Sequence, residues 1–317
     1  MTSSGRAVGR PRTQFARTDV TTPGSGLFRI AEKGSPRLKA TEVVVEHDGV
    51  EVAYVTPYRM GAEEWKVLLA ISALAGLDGS RFRGPEPMLW DAFLTEGMAN
   101  EKDAIRIRTT AYALLRELNL TDSGASRKVL SGHLRRLSTV MQQLRKGDRV
   151  MSGSRLISYA HDEESGELAI GISPQMARAI LGESKQFVRI SLAEVRRLDP
   201  TAVLLHAYFS ARIRAGEEMR FSLDSLIQII YGPDKVSPPT LRKRREHVRR
   251  SLLNFNKETT WSISLNRLTG PRGTAIWRVT VYRVDRKALE AWEKDQNNLD
   301  VDLSPSEYLE APEENDE

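Results

Sequence analysis

The chain has 317 residues, of which 40% are hydrophobic and 28% are charged, a composition typical of a globular protein with two domains of ordinary size. No apolar run approaches the roughly 18 residues that a membrane helix needs, and the basic N-terminus lacks the apolar core of a secretory signal. Cysteine is absent, which excludes disulfides and thiolate chemistry and fits a cytosolic protein.

Charge is distributed unevenly along the chain. The formal net charge is +5, but residues 295–317 contain nine acidic residues and no Lys or Arg, so residues 1–294 carry an excess of fourteen positive charges. Such an excess indicates a polyanionic partner, and a merely soluble basic surface is the simpler alternative. We expect residues 295–317 to form an acidic, disordered tail.

The N-terminal part of the chain divides into an arm and the start of a domain. Residues 1–26 combine Ser, Thr, Gly, Pro and Arg with few large apolar side chains, which predicts a flexible basic arm. Two β-branched runs flank Asp48-Gly49 and predict a β-hairpin over residues 43–54. Apolar residues at helical spacing then predict a helix from about Glu63 to Ala75.

Two helix pairs follow, and their spacing is similar. The first pair is predicted over residues 109–118 and 126–144, and the second comprises a short helix around Leu226 and a long helix from about Pro239. The apolar stripes of the two long helices are Leu130, Leu137, Met141 and Leu144, and Leu241, Val248, Leu252 and Phe255. Equivalent positions are 111 residues apart, which indicates an internal repeat of architecture.

Each helix pair is followed by a strand, a glycine-containing turn and a second strand. These hairpins are predicted over residues 155–172 and 260–282. A helix pair followed by a hairpin is the winged form of the helix-turn-helix. The predicted fold is therefore α+β, with two winged-helix domains in tandem at residues 27–173 and 174–294. The segments 174–181, 191–198 and 200–214 are predicted to be helices.

The second long helix is the strongest candidate for DNA recognition. Six of the ten residues from Leu241 to Arg250 are Lys or Arg, and helical spacing aligns Arg242 with Arg249 away from the apolar stripe. A recognition helix needs one apolar face for its own domain and long cations for the major groove. A solvated helix face is the alternative, although only Glu246 is available locally to balance the charge. The candidate residues here are Thr240, Arg242, Lys243, Arg245, His247, Arg249 and Arg250.

The first long helix carries a sparser set of polar and basic residues. Its equivalence to the second basic helix makes it a candidate for a second DNA contact. The candidate residues here are Ser126, Arg127, Lys128, Ser131, Arg135 and Arg136. Arg267 and Arg272 on the second hairpin are further candidates, whereas the acidic tip of the first hairpin, residues 162–164, is expected to repel phosphate.

Catalytic constellations are missing from the sequence. There is no glycine-rich phosphate loop and no carboxylate cluster of the two-metal kind, and the five histidines are scattered without zinc spacing. His206 lies in an apolar run and is expected to be a packing histidine. We therefore expect no catalytic residue, no metal, no cofactor and no small-molecule substrate.

Several segments also resemble a known family. They are Leu156 to Ala160, Gly166-Glu167-Leu168, Val188 to Leu192, Leu204-Leu205-His206 and Thr240 to Arg245. In this order they resemble the RepC replication initiators of IncQ-type broad-host-range plasmids. The resemblance is dense over residues 155–253 and thin from 88 to 150.

The resemblance implies an initiator that binds direct repeats, called iterons, in double-stranded DNA at a plasmid origin. It also implies two winged-helix domains, opening of an adjacent AT-rich segment, and a plasmid-encoded replicative helicase and primase as partners. The leading alternative is a winged-helix transcriptional repressor, which predicts a dimer on a palindrome rather than monomers on tandem repeats. The other classes are an enzyme, such as a primase or DNA-strand transferase, and an architectural DNA-binding protein.

Overall fold

The fold is described from a computed structural model, which covers residues 9–31, 38–47, 49–78, 80–81, 104–147, 149–162, 166–269 and 275–285. The predicted acidic tail, the candidate Arg272 and two residues of the acidic tip of the first hairpin, Glu163 and Glu164, lie outside these residues. Within them, no helix has the length and apolar character needed to cross a membrane.

The N-terminal segment is built into the fold, so the prediction of a flexible arm is wrong for residues 9–26. Phe15–Thr18 forms strand β1, which pairs antiparallel with strand β10, Val188–Ser191. Helix α1, Thr21–Gly24, follows, and Asp19 accepts hydrogen bonds from two backbone N–H groups at its start. A strand of four residues is too short to stand out in a segment of this composition.

The predicted hairpin near the N-terminus is confirmed. Strand β2, Leu38–His47, pairs antiparallel with β3, Val50–Tyr58. Gly49 in the turn has a φ of 71°, which glycine adopts without steric cost. Helix α2, Ala62–Asp78, contains the predicted helix, and strands β4, Ser80–Arg81, and β5, Ile105–Thr110, come next in the described part.

The first helix pair is confirmed in position, but its second helix is shorter than predicted. The two helices are α3, Ala111–Glu117, and α4, Gly124–Leu137. Residues 141–144 instead begin strand β6, Met141–Lys146, which pairs with β3 and with β7, Arg149–Arg155. Pairing with a strand far away in sequence therefore overrides the helical spacing of this segment.

The predicted first wing is confirmed as a hairpin of β8, Ile157–His161, and β9, Glu167–Ile172. Strand β9 also pairs with β5, so one sheet has the order β4-β5-β9-β8. The extra strands β6 and β7 extend the N-terminal hairpin into a separate sheet of order β2-β3-β6-β7.

Three short helices lead from the first half of the chain to the second. They are α5, Pro174–Ile180, α6, Leu192–Val195, and α7, Pro200–Ser210. Asp199 caps α7 by accepting hydrogen bonds from two backbone N–H groups, and Pro200 occupies the first helical position. Helix α7 is buried on nearly all sides, which explains why it has no polar face in the sequence.

The second half repeats the helix pair and the hairpin. Strand β11, Glu218–Ser222, leads into helices α8, Leu223–Tyr231, and α9, Pro238–Glu258. The wing is β12, Trp261–Thr269, paired with β13, Ala275–Arg283. This sheet has the order β11-β13-β12, which matches β5-β9-β8. The predicted tandem of two winged helices is confirmed, and we call residues 62–172 the first unit and residues 200–283 the second unit.

The sequence separation between equivalent positions of the two units is not constant. The N-cap residues of the helix pairs are Thr110 and Ser123 in the first unit and Ser222 and Ser237 in the second. Equivalent positions are therefore 112 and then 114 residues apart, rather than the predicted 111. The predicted value depended in part on residues 141 and 144, which lie on a strand.

The buried apolar residues of both units form one continuous cluster. It extends from Trp65 and Leu134 of the first unit through α7 to Val248 and Phe255 of the second. The predicted domain boundary at residue 173 lies between β9 and α5, within the segments that contribute to this cluster. Helices α4 and α9 thus belong to one packed body.

Candidate DNA-binding surface

Helix α9 separates a buried apolar face from an exposed cationic one. Val248 and Phe255 are fully buried against the body of the second unit. Arg242, Lys243 and Arg250 are exposed, and none of the three forms an ion pair with another residue that the structure describes. Their guanidinium and ammonium groups are free to reach phosphates or, for Arg, a guanine edge in the major groove.

Two other arginines of α9 are held by side chains of α8. Arg245 donates two hydrogen bonds to the carboxylate of Asp224, at 2.8 and 2.6 Å, and this hydrogen bonding raises the pKa of Arg245. Arg244 is buried, with its Cζ 4.7 Å from the centre of the Tyr231 ring. Both side chains attach the recognition helix to its neighbour, so Arg245 is less available to DNA than its position in the sequence indicated.

Arg249 does not project into solvent as the sequence predicted. Its Cζ lies 4.1 Å from the ring centre of Trp277 on β13, and its Nη1 lies 3.6 Å from Glu246. The Arg249 side chain is 37% exposed. Helical periodicity cannot reveal this contact, because the ring comes from the wing rather than from the helix.

Thr240 and His247 make local contacts on α9. Thr240 is half-buried, and its hydroxyl lies 2.9 Å from the hydroxyl of Ser237 in the first turn. His247 is exposed, and its Nδ1 lies 2.6 Å from the hydroxyl of Tyr231. The His247 ring is therefore held at the surface by the last residue of α8.

The wing of the second unit continues the cationic surface of α9. Arg267 is exposed and is the cross-strand partner of Trp277, so both side chains lie on the same face of the hairpin. Because Arg249 stacks on Trp277, this face adjoins the recognition helix. Arg278 is also exposed but points to the opposite face, since successive side chains alternate along a strand.

Helix α4 has a smaller outward set of polar residues. Lys128, Ser131 and Arg135 are exposed, and helical spacing places Lys128 and Arg135 on one line. Arg127 is also exposed, but it donates two hydrogen bonds to Asp122 at 2.7 and 2.8 Å. Most of its charge is therefore balanced locally.

Arg136 does not face outward, contrary to the prediction, and Ser126 is half-buried in the first turn of α4. The backbone N–H of Ser126 donates to the Ser123 hydroxyl at 3.1 Å, which caps α4. Arg136 donates from Nε to Glu64 Oε1 at 2.7 Å, and its side chain is 12% exposed. Arg136 points inward because a buried carboxylate of α2 lies behind the helix.

Glu64 fastens α4 to α2. Its Oε1 lies 2.8 Å from Nδ1 of the buried His133, and its Oε2 accepts a hydrogen bond from the Gly61 backbone N–H at 2.8 Å. Burial opposes ionisation of Glu64, but the hydrogen bond with His133 and the attraction of His133 and Arg136 outweigh it and lower its pKa to about 2. The carboxylate is therefore charged at neutral pH and orients the recognition helix.

The sequence analysis missed a basic hairpin next to α4. Lys146 and Arg149 are cross-strand partners at the ends of β6 and β7, and both are exposed. The turn dipeptide Gly147-Asp148 was the available signal. The helical spacing that continues to Leu144 concealed it.

No metal site was found in the described part of the chain, where no group of three or more His, Cys, Asp or Glu side chains is placed to bind an ion. His206 is buried, as predicted, with its Nε2 2.9 Å from Glu194 Oε2. It therefore packs within the core of the second unit.

Comparison with known proteins places the chain in a family. Two crystal structures of domains 2 and 3 of RctB share its fold, with TM-scores of 0.54 and 0.51 at 12% and 11% sequence identity. These matches cover 83% and 85% of this chain and 98% and 99% of the RctB chains. No curated protein sequence matches the chain. The family model of replication protein C, RepC, matches residues 13–267. The chain therefore belongs to the RepC family of replication proteins.

Proposed function

We propose that the protein initiates plasmid replication by binding direct repeats in double-stranded DNA at the origin. Its membership of the RepC family supports a role in replication initiation. The observation that carries the proposal is the cationic face of α9, where Arg242, Lys243 and Arg250 are exposed without carboxylate partners among the described residues. Lys128 and Arg135 form the corresponding surface on α4.

One molecule is expected to cover one repeat. Two recognition helices on a single packed body can enter successive major grooves, which are about 10–10.5 base pairs apart, so the contacted site is about two turns of duplex. Because the two helices differ in length and charge, the site should be non-palindromic. Repeats arranged in tandem then bind molecules in one orientation.

We further propose that bound molecules open the adjacent AT-rich segment and support the loading of a plasmid helicase, which works with a primase. In this proposal the protein has no catalytic site and acts in the bacterial cytoplasm through DNA and protein contacts alone. Chemical probing of unpaired thymines in a supercoiled origin plasmid tests the opening step. Co-purification with the helicase tests the partnership.

The deciding experiment combines a footprint on the replicon's own origin with the mass of the complex on a single repeat. We expect a footprint that recurs once per direct repeat and a one-to-one complex by analytical ultracentrifugation. A two-to-one complex on a symmetric site would favour the transcriptional repressor instead.

A further inference from the structure

A second basic surface lies away from the recognition helices. A groove of about 620 Å³ runs between the tip of the β2–β3 hairpin, the loop that precedes β10 and the end of α7. Four exposed cations line it: Lys185, Arg189, Arg212 and Arg214. Among the described residues of the lining, Glu46 is the sole carboxylate. We call this feature the basic groove.

Phe187 and Arg189 line the basic groove, and Arg17 and Phe15 lie behind them on the adjoining strands. Phe187 is 41% exposed, and the Cζ atom of Arg17 lies 5.0 Å from the centre of its ring. The Cζ atom of Arg189 lies 3.8 Å from the ring centre of Phe15. Arg17 and Arg189 are cross-strand partners of β1 and β10, and neither forms an ion pair with a described residue.

We propose that the basic groove binds single-stranded DNA. The cations follow the phosphate backbone, and Phe187 offers a ring on which an unpaired base can stack. Duplex DNA would use the cations only, because its base faces are already stacked on one another. An acidic peptide would likewise leave the exposed ring without a planar partner.

The position of the basic groove separates it from the surface proposed for duplex DNA. Arg283 lines the groove and lies six residues along β13 from Trp277, a distance of about 20 Å in a strand. Trp277 is the wing residue that contacts α9 through Arg249. One molecule could thus hold a repeat and a strand of opened DNA together, which goes beyond the proposed binding of repeats.

The test measures the affinity of the full-length protein for two labelled probes by fluorescence anisotropy. One probe is an oligothymidylate of about 20 nucleotides, and the other is the duplex of a single repeat. We expect Phe187→Ala to weaken oligothymidylate binding by about 5- to 150-fold, the range for loss of one stacked base. Phe187→Tyr keeps an aromatic ring and should retain wild-type affinity for oligothymidylate, whereas Arg214→Ala should also weaken that affinity. All three variants should bind the duplex like the wild type.

Two control variants make the result specific. Lys235→Ala removes one exposed positive charge outside the groove and should leave oligothymidylate binding unchanged. Arg242→Ala on α9 should weaken duplex binding and spare the single strand. The proposal is overturned if the wild type does not bind oligothymidylate at low salt. It is also overturned if the groove variants weaken both probes equally, or if only Arg242→Ala affects the single strand. The first and third of these outcomes use the single-stranded probe alone, so they do not depend on whether the repeats are the duplex target.

Discussion

The two winged-helix units share a topology but hold their recognition helices in different ways. In the first unit, α4 is fixed from behind, where Glu64 contacts His133 and Arg136. In the second unit, α9 is longer and is fixed at its sides, where Arg245 reaches α8 and Arg249 reaches the wing. Basic side chains thus serve two tasks in this fold. The number of Lys and Arg residues on a helix therefore overestimates the positive charge that is available to bind DNA.

The elements after the recognition helices differ as well. In the second unit the wing begins directly after α9, and Arg267 joins the exposed cations of that helix. In the first unit the hairpin of β6 and β7 is inserted before the wing and pairs with β3 instead. The second unit consequently presents a continuous basic surface from helix to wing, whereas in the first unit the basic helix is followed in sequence by a hairpin with Lys146 and Arg149 at its tip.

Each unit also contains a buried histidine that contacts a buried glutamate, and in the second unit the glutamate comes from α6, just before the unit begins. Glu64 pairs with His133 between α2 and α4, whereas Glu194 pairs with His206 and accepts hydrogen bonds from Thr260 at the start of the wing. In the first unit the charge fixes the recognition helix. In the second it fixes the base of the wing.

The largest expected effect is the salt dependence of DNA binding. If about six to ten phosphates are contacted, affinity for one repeat should fall by about 10³ to 10⁵ between 50 and 200 mM salt. Lys243→Ala should reduce the slope of the log–log plot by about one, because one phosphate contact is lost. Arg127→Ala should leave the slope unchanged, since Asp122 already balances its charge. Equal slopes for both variants and the wild type would mean that Lys243 on the exposed face of α9 does not contact a DNA phosphate.

A buried charge in the second unit should unfold both units together. Val248→Asp places a carboxylate in the continuous core, at an expected cost of about 3–5 kcal/mol in the free energy of unfolding. Leu253→Asp is the matched control, because it also replaces an aliphatic side chain with Asp on the same helix, at a position that is 56% exposed. We expect a single lowered transition for Val248→Asp by scanning calorimetry. A second transition that kept the wild-type temperature would show that the first unit folds independently.

The buried pair of the first unit predicts a loss of stability in acid. The pKa of Glu64 in the folded protein, about 2, lies below the ordinary value of 4.5. The ionised Glu64 side chain therefore contributes to the free energy of unfolding on the order of 3 kcal/mol in total. This contribution is fully present above about pH 4.5 and is lost as the pH falls towards 2. Glu64→Gln should lower stability at neutral pH and flatten this acid dependence in urea titrations. Glu63 is an exposed neighbour paired with Lys66, and Glu63→Gln should retain the acid dependence of the wild type.

Local patterns in the sequence were sufficient to predict the helix pairs, both wings and the basic face of α9. These features depend on residues a few positions apart, which is the range over which periodicity and turn residues act. The strand β6 could not be predicted in this way. Its residues Met141 and Leu144 continue the spacing of a helix, and only pairing with β3 decides their conformation.

The same limit applies to the candidate site. Arg242, Lys243 and Arg250 lie where the helical spacing placed them, because only their own helix determines their direction. Arg136 and Arg249 lie elsewhere, since their partners, Glu64 and Trp277, are remote in sequence. Tertiary contacts of this kind carry no periodic signal.

A smaller effect distinguishes direct base contact from backbone contact. Arg242→Ala should cost about 1–3 kcal/mol of affinity and relax specificity at one base pair if the side chain pairs with guanine. Lys128→Ala on α4 should weaken binding to all sequences alike, because Lys contacts phosphate as a point charge. Selection of bound sequences from a randomised repeat separates the two results. Uniform weakening by Arg242→Ala would assign this residue to the backbone as well.

The smallest expected effect concerns Arg249, whose place against the wing distinguishes the second unit from the first. Its stack on Trp277 is partly exposed, so Arg249→Ala should lower the free energy of unfolding by about 0.5–1 kcal/mol, whereas Arg242→Ala should not change it. Arg249→Lys keeps the charge but loses the planar stack, and should be destabilised almost as much. A double-mutant cycle with Trp277→Leu isolates the pair, because the coupling energy is absent if the two side chains do not interact. Zero coupling, together with relaxed specificity at one base pair for Arg249→Ala, would instead place Arg249 on the DNA-facing surface beside Arg242.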